Sequence, residues 1–225
     1  MNQEGERPPS QRVRDDQSRA NFSVLHQVAE VCVVAAVTAP KSGCQLFLKG
    51  SPPLLESIIV DSGEVRSRLA VWLRDRGART SNHLWDRDAD TAKRTALHLF
   101  IGLADWYPPF YDCGACGYAT CAEFLNARRD HMSKPDAVDW GFRGPVCQLR
   151  CVDLGIAVGS AVKVASLHNV DVRCQTRVAA AARALGVIRA DLAVCLSMNV
   201  SHKNIFFDRP ATPSPGEAGL ERGPR

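Results

Sequence analysis

Nine cysteines stand in a chain of 225 residues, and five of them fall between positions 113 and 151. Three lie in Cys113-Gly114-Ala115-Cys116-Gly117-Tyr118-Ala119-Thr120-Cys121, a C-x2-C-x4-C spacing; Cys147 follows after 25 residues and Cys151 after three more. Thiolates gathered in this way read first as metal ligands, because four of them complete the coordination of a cubane iron–sulfur cluster. A two-residue gap lets two thiolates on one turn reach adjacent irons. Gly114 and Gly117 follow the first two cysteines. Glycine brings backbone close to a cluster and adopts positive φ, so that N–H groups can point at sulfur. A helix starting near Ala119 would add the positive end of its dipole beside a negatively charged cluster. Spacing alone leaves a rival open. The run matches neither the C-x2-C-x2-C-x3-C nor the C-x4-C-x2-C ferredoxin pattern. C-x2-C with the pair Cys147 and Cys151 would also suit a zinc ion held by four thiolates.

The rest of the composition sets the surroundings for these thiols. An odd number of cysteines and no apolar leader argue against a disulfide framework. Residues 1–20 are polar and rich in Arg, Gln and Pro, and the longest apolar stretch, Val24 to Ala39, carries His26, Gln27, Glu30 and Thr38. Neither reads as a signal or a membrane span, so the expectation is a reducing, cytoplasmic setting with no membrane partner. A net charge of +4 spread over scattered arginines makes no basic stripe and gives no reason to expect nucleic acid.

The cysteine run, continued through Ala122-Glu123-Phe124, resembles the C-G-x-C-G-x-x-x-C-x-x-F signature of a known 4Fe–4S domain. More widely, the chain resembles the uncharacterised ferredoxin-domain-containing proteins of prokaryotes. The matching stretches are Thr38-Ala39-Pro40-Lys41, Arg87-Asp88-Ala89-Asp90, the cysteine loop, Asp153-Leu154-Gly155-Ile156-Ala157-Val158-Gly159-Ser160-Ala161, Asn169-Val170-Asp171-Val172-Arg173 and Lys203-Asn204-Ile205-Phe206-Phe207-Asp208-Arg209, spread over residues 24–209. The resemblance implies a 4Fe–4S cluster held by Cys113, Cys116, Cys121 and Cys147, since the family's fourth cysteine lies six residues before the Asp of the D-L-G-I-A motif, here Asp153. The segment from Cys44 to Glu56 departs from the family pattern. So does Leu196-Ser197-Met198-Asn199-Val200-Ser201-His202, where the family usually carries P-L-S-x-S-G.

Elements must then position the ligands. The expected fold is α/β, or α+β, with a mixed sheet flanked by helices. It forms one domain over residues 21–209, the cluster-binding segment spans about 106–151, and disordered tails occupy residues 1–20 and 210–225. Those ends are too rich in Pro, Gly, Ser and charge to bury themselves. Val24 to Ala39 is apolar almost all round and predicts a buried helix stopped by Pro40. Gln45 to Lys49 is a short strand candidate. Val65, Leu69, Trp72 and Leu73 recur at helical spacing, with Glu64 in the first turn and Gly77 at the end. Ala96 to Leu103 and Asp191 to Ser197 predict buried strands. Ala119 to Arg129, Val152 to Leu167 and Thr176 to Leu185 predict helices, the last capped by Gly186. Small residues such as Gly155, Ala157, Gly159 and Ala161 would let the second of these pack closely on a neighbour.

Other candidate residues divide into two groups. Lys41, Arg173, Lys203 and Arg209 could form an anion site, and the layout before K-N-I-F-F-D-R loosely resembles nitroreductase-type flavoproteins, where such a site would take an FMN phosphate. Charges paired or exposed in turns are the simpler reading. Asp88 and Asp90, two apart on a helix, do not face each other and read as helix-start charge. Cys32 and Cys195 sit in apolar runs as packing residues. Cys174 is a lone thiol near arginines, and His131 and His168 have no ligand-spaced partner. The function expected is a 4Fe–4S redox protein that transfers electrons to and from partner proteins. A flavin- or cluster-dependent oxidoreductase and a zinc-binding structural module are the alternatives.

Overall fold

Leu97-His98-Leu99-Phe100-Ile101-Gly102-Leu103 is the apolar run around which the chain folds, and every position in it is buried. The computed structural model describes residues 9–41, 54–134, 141–201 and 204–207. In chain order the elements are α1 (Pro9–Thr38), β1 (Leu55–Val60), α2 (Gly63–Thr80), α3 (Leu84–Arg94), β2 (Leu97–Leu103), α4 (Cys121–Ser133), α5 (Gln148–Leu167), β3 (Asp171–Gln175), α6 (Thr176–Ala184), β4 (Leu192–Asn199) and a 3-10 turn (Ile205–Phe207). The strands form one sheet in the order β1-β2-β4-β3. The α/β class therefore holds, with one correction. All three described pairings are antiparallel, Leu55 opposite Leu103, Phe100 opposite Cys195 and Cys174 opposite Leu196, so the sheet is not mixed. Two helices separate β1 from β2, and they turn the chain once more than a single crossover helix would.

Because side chains alternate along a strand, β2 divides the core in two. Leu97, Leu99, Ile101 and Leu103 join α1 and α5 on one face; Phe100 joins α2, α3 and α6 on the other. His98 also lies on that second side. It is fully buried, with Nε2 3.0 Å from the Ala92 carbonyl oxygen and Nδ1 3.0 Å from Ser197 Oγ, which lies 2.6 Å from Gln175 Oε1.

The helices differ from expectation at instructive places. α1 begins at Pro9, so residues 9–20, expected in a disordered arm, lie in its first turns. Its segment Ser18–Thr38 is long and apolar enough to cross a membrane by length and composition, yet Leu25, Ala29, Cys32 and Ala36 pack into the sheet-side core. It is not buried all round: Val24, Val31, Val34 and Val37 are exposed. α2 runs through Gly77 to Thr80 because Ser81 takes the left-handed conformation (φ 51°) that ends it. Gly77 serves packing instead, since a Cβ there would stand 3.2 Å from Trp85 Cβ. In α5 the face toward α1 and the sheet is Ala157, Ala161 and Ala165, while at Gly155 and Gly159 a Cβ would meet no described residue within 4 Å. Gly186 does cap α6: at φ 71° it lets Val187 N–H donate to the Ala182 carbonyl at 2.8 Å. The strand candidate Gln45 to Lys49, Cys44, Lys203, Arg209 and the tail from residue 210 lie outside the described residues.

Candidate functional site

The chain leaves β2 at Leu103 and enters a loop fastened at several points. Ala104 N–H donates to the Leu54 carbonyl at 3.1 Å, and Trp106 Nε1–H donates to Asp191 Oδ2 at 3.0 Å. Asp105, Phe110 and Asp112 all have positive φ. Side-chain-bearing residues adopt that region at a cost and hold it only where the surroundings dictate it. Gly114 (φ 71°) and Gly117 (φ 88°) continue the pattern without that cost, and Gly117 N–H closes a turn on the Gly114 carbonyl at 2.9 Å.

Helix α4 starts at Cys121, two residues later than the expected Ala119, and its cap explains why. Thr120 is extended (φ −129°) and its Oγ1 accepts the Glu123 N–H at 3.1 Å; Glu123 Oε2 in turn accepts the Ala119 N–H at 3.1 Å. This is a capping box displaced by one residue at its return bond, and Thr120-Cys121-Ala122-Glu123 carries its signature in the sequence. Cys121 becomes the first residue of the helix. Its N–H donates to Asp112 Oδ1 at 2.6 Å, so this amide serves a carboxylate rather than a sulfur.

Cys147 occupies the matching place at α5. It is the N-cap residue, extended (φ −63°, ψ 129°), and its side chain makes no capping hydrogen bond. The preceding Gly144–Pro145 peptide is cis, and the segment is held rather than loose. Arg128 of α4 donates from Nη1 to the Pro145 carbonyl at 2.7 Å, pairs through Nη2 with Asp191, and stacks 4.4 Å from the centre of the Trp106 ring. A second arginine lies beneath. Arg150, fully buried in the first turn of α5, donates from Nε to the Tyr107 carbonyl at 2.8 Å and from Nη1 to Asp153 Oδ2 at 2.7 Å. Sequence reasoning missed Asp112, Arg128, Arg150 and Asp191; only the i,i+3 spacing of Arg150 and Asp153 gave a local signal.

Four of the five clustered cysteines meet around one hollow, lined by Cys113, Cys116, Cys121 and Cys147 together with Pro108, Asp112, Tyr118 and Phe124. Cys121 and Cys147 are buried, Cys116 is half-buried and Cys113 is exposed, so the hollow has a closed inner wall and an outer rim. Two helix N-termini, those of α4 and α5, stand at its inner thiols and favour negative charge there. Cys151 is half-buried and does not line the hollow. Burial pushes its thiol up, and the neighbouring Cys147 adds to this. Among the described residues no three His, Cys, Asp or Glu side chains stand close enough to share one ion.

The other candidates go elsewhere. Lys41 Nζ donates to the carbonyls of Val37 (3.0 Å) and Ala39 (2.7 Å), capping the end of α1; burial lowers its pKa and nearby Asp153 opposes the shift. Arg173 lies on β3 opposite Ser197, and its Nη1 donates to the Phe206 carbonyl at 2.8 Å. Lys41 is thus held at the end of α1 near Asp153 of α5, and Arg173 in the middle of β3, each with backbone carbonyls as its hydrogen-bond partners. Lys203 and Arg209, the other two members of the expected anion site, lie outside the described residues. Asp88 is a buried residue within α3 rather than a helix-start charge, paired at 2.6 Å with Arg177 of α6; Asp90 pairs with Arg74. Cys32 and Cys195 are fully buried as expected, and burial raises the Cys32 thiol to about 11 and the Cys195 thiol further. Desolvation also raises Cys174. His131 is exposed in the last turn of α4 and His168 is exposed at the end of α5.

Comparison with known proteins bears on the same residues. A family model described as an uncharacterized protein containing a ferredoxin domain (DUF2148) matches residues 143–209, and a model for an Fe–S cluster segment matches residues 109–136. An uncharacterized protein of Archaeoglobus fulgidus is 34% identical over 181 residues, which cover 80% of this chain and 89% of that protein. Among solved structures, nitroreductase A from Vibrio parahaemolyticus aligns with a TM-score of 0.45 at 13% identity, covering 88% of this chain and 67% of that one. The two matched segments contain the four cysteines of the hollow: three in the first and Cys147 in the second.

Proposed function

This chain belongs to the family of uncharacterised proteins containing a ferredoxin domain, and on that footing we propose that it binds one 4Fe–4S cluster through Cys113, Cys116, Cys121 and Cys147 and serves as a cytoplasmic electron carrier. The observation that carries this reading is the hollow itself. Four thiols from two distant segments surround it, and two helix N-termini point their positive ends at its inner wall. Thiols spread around a space suit a cluster whose irons each take one thiolate.

When bound, the cluster supplies one-electron redox chemistry, and four thiolates leave no open iron for a substrate. The protein's own residues do the rest. Asp112 and the Thr120 cap hold Cys121 at the start of α4. Arg128 and Arg150 hold the segment carrying Cys147 against the loop carrying Cys113. Phe124, packed against Trp106 and Tyr118, closes the inner wall against water, and the exposed rim at Cys113 is where a redox partner would exchange electrons. The test is a serine series on anaerobically purified protein, read by visible absorption and iron content. Cys113→Ser, Cys116→Ser, Cys121→Ser and Cys147→Ser should each lose most of the cluster, while Cys151→Ser keeps it. Loss in Cys151→Ser with retention in Cys147→Ser would overturn the ligand assignment.

A further inference from the structure

The outer face of the α1–α5 layer is built for a partner, and we propose that this partner is a second copy of the same chain. The layer covers one face of the sheet, and only its inner side enters the core. On the outer side α1 exposes Val24, Val31, Val34 and Val37, interleaved with Ser23, Gln27 and Glu30, and α5 exposes Val152 and Ile156. Scattered exposed valines need no explanation, but apolar side chains concentrated on one face mark an interaction surface. The glycines add an independent observation. Gly155 and Gly159 fall one turn apart on the same outer face of α5, and a Cβ at either would meet nothing within 4 Å. Glycine inside a helix lowers its stability, and nothing among the described residues uses the space. It lets a second helix approach the α5 backbone closely.

Area and charge point to the occupant. α5 has 20 residues and is therefore about 30 Å long, and two helices side by side are about 20 Å wide, a footprint on the order of 600 Å². Buried against its own image, the layer would remove about 1,200 Å² over both partners, the lower end of the range of stable interfaces. A two-fold axis that lays α1 of one copy over α5 of the other also sets opposite charges together. Glu30 stands exposed on α1 beside His26, and Lys163 stands exposed on α5. The same charges in the middle of the face would be costly in lipid, which separates this surface from a membrane-binding one despite the hydropathy of Ser18–Thr38.

The proposal is independent of the cluster and is tested on the full chain by sedimentation equilibrium, with far-UV circular dichroism to verify folding. The wild type should sediment at twice its 24.5 kDa chain mass. Val34→Glu and Gly159→Glu, both at open positions, should each weaken association at least ~100-fold without loss of helix content. Glu30→Lys should weaken it by roughly tenfold, and adding Lys163→Glu to the same chain should restore it. A monomer at about 100 μM, a dimer indifferent to both glutamates, or a charge swap that fails to rescue would overturn the proposal. So would monomer that floats with vesicles of phosphatidylcholine and phosphatidylglycerol.

Discussion

Arg128 joins α4, which begins at Cys121, to the segment that delivers Cys147, and removing it should loosen both. Its side chain is 15% exposed and that of Asp191 is 18% exposed, so water replaces little of what is lost. Arg128→Ala removes a charged hydrogen bond to the Pro145 carbonyl, a second to Asp191 and the stacking on Trp106. Charged hydrogen bonds contribute about 1.5–3 kcal/mol each and a cation over a ring about 1–2 kcal/mol. These contacts share one side chain and do not add, which puts the loss on the order of 3 kcal/mol out of a typical 5–15 kcal/mol of stability. Arg128→Lys should lose on the order of half as much, because an ammonium cannot span both acceptors as the guanidinium fork does. The assay is urea unfolding followed by circular dichroism, together with the rate at which visible cluster absorption bleaches in air. Bleaching should accelerate in parallel with the loss of stability. A double-mutant cycle with Asp191→Asn should show a coupling of about 1–2 kcal/mol; additivity within about 0.5 kcal/mol would refute the clamp.

The buried pair beneath should respond more strongly. Arg150→Met leaves Asp153 without the guanidinium it is buried against, at a cost of about 3–5 kcal/mol, and Arg150→Met with Asp153→Leu should recover part of it, since removing both partners is gentler than removing one; urea unfolding measures both. His98 gives a pH dependence. Burial pushes its pKa down to about 4 from 6.5, so the unfolded chain binds the proton first and stability falls as pH drops from 6.5 toward 4. Between pH 7 and 5.5 the wild type should lose about 1.2 kcal/mol more than His98→Gln, read as the difference between their unfolding curves; equal slopes would count against the buried neutral ring.

The site was legible in the sequence where chemistry is local, and hidden where it is long-range. The C-x2-C-x4-C run and its glycines are neighbours along the chain, so spacing pointed to them as a metal site; the Thr120 to Glu123 cap is equally local but was missed, which set the expected helix start two residues early. Cys147 came from the position of Asp153 in a family motif, because nothing within 25 residues of Cys121 says which later thiol returns to the loop. Arg128, Asp112 and Asp191 were invisible for the same reason: their partners lie 17, 9 and 63 residues away. In the fold, β2 was readable because a strand buried on both faces is apolar at nearly every position, here all but His98. The antiparallel sheet was not, since β1 and β3 are short and only partly buried. α1 misled in an informative way: an apolar sequence implies burial, yet Val24, Val31, Val34 and Val37 stand where the sheet does not cover them.

The most direct test of the central claim is the metal and acid-labile sulfide content of protein purified without oxygen, with flavin measured on the same sample. The account predicts about four iron and four sulfide per chain, a reduced-state EPR signal and no stoichiometric flavin. One zinc per chain with no sulfide would show that the four thiols hold a structural ion, and the electron-carrier reading would fall with the cluster.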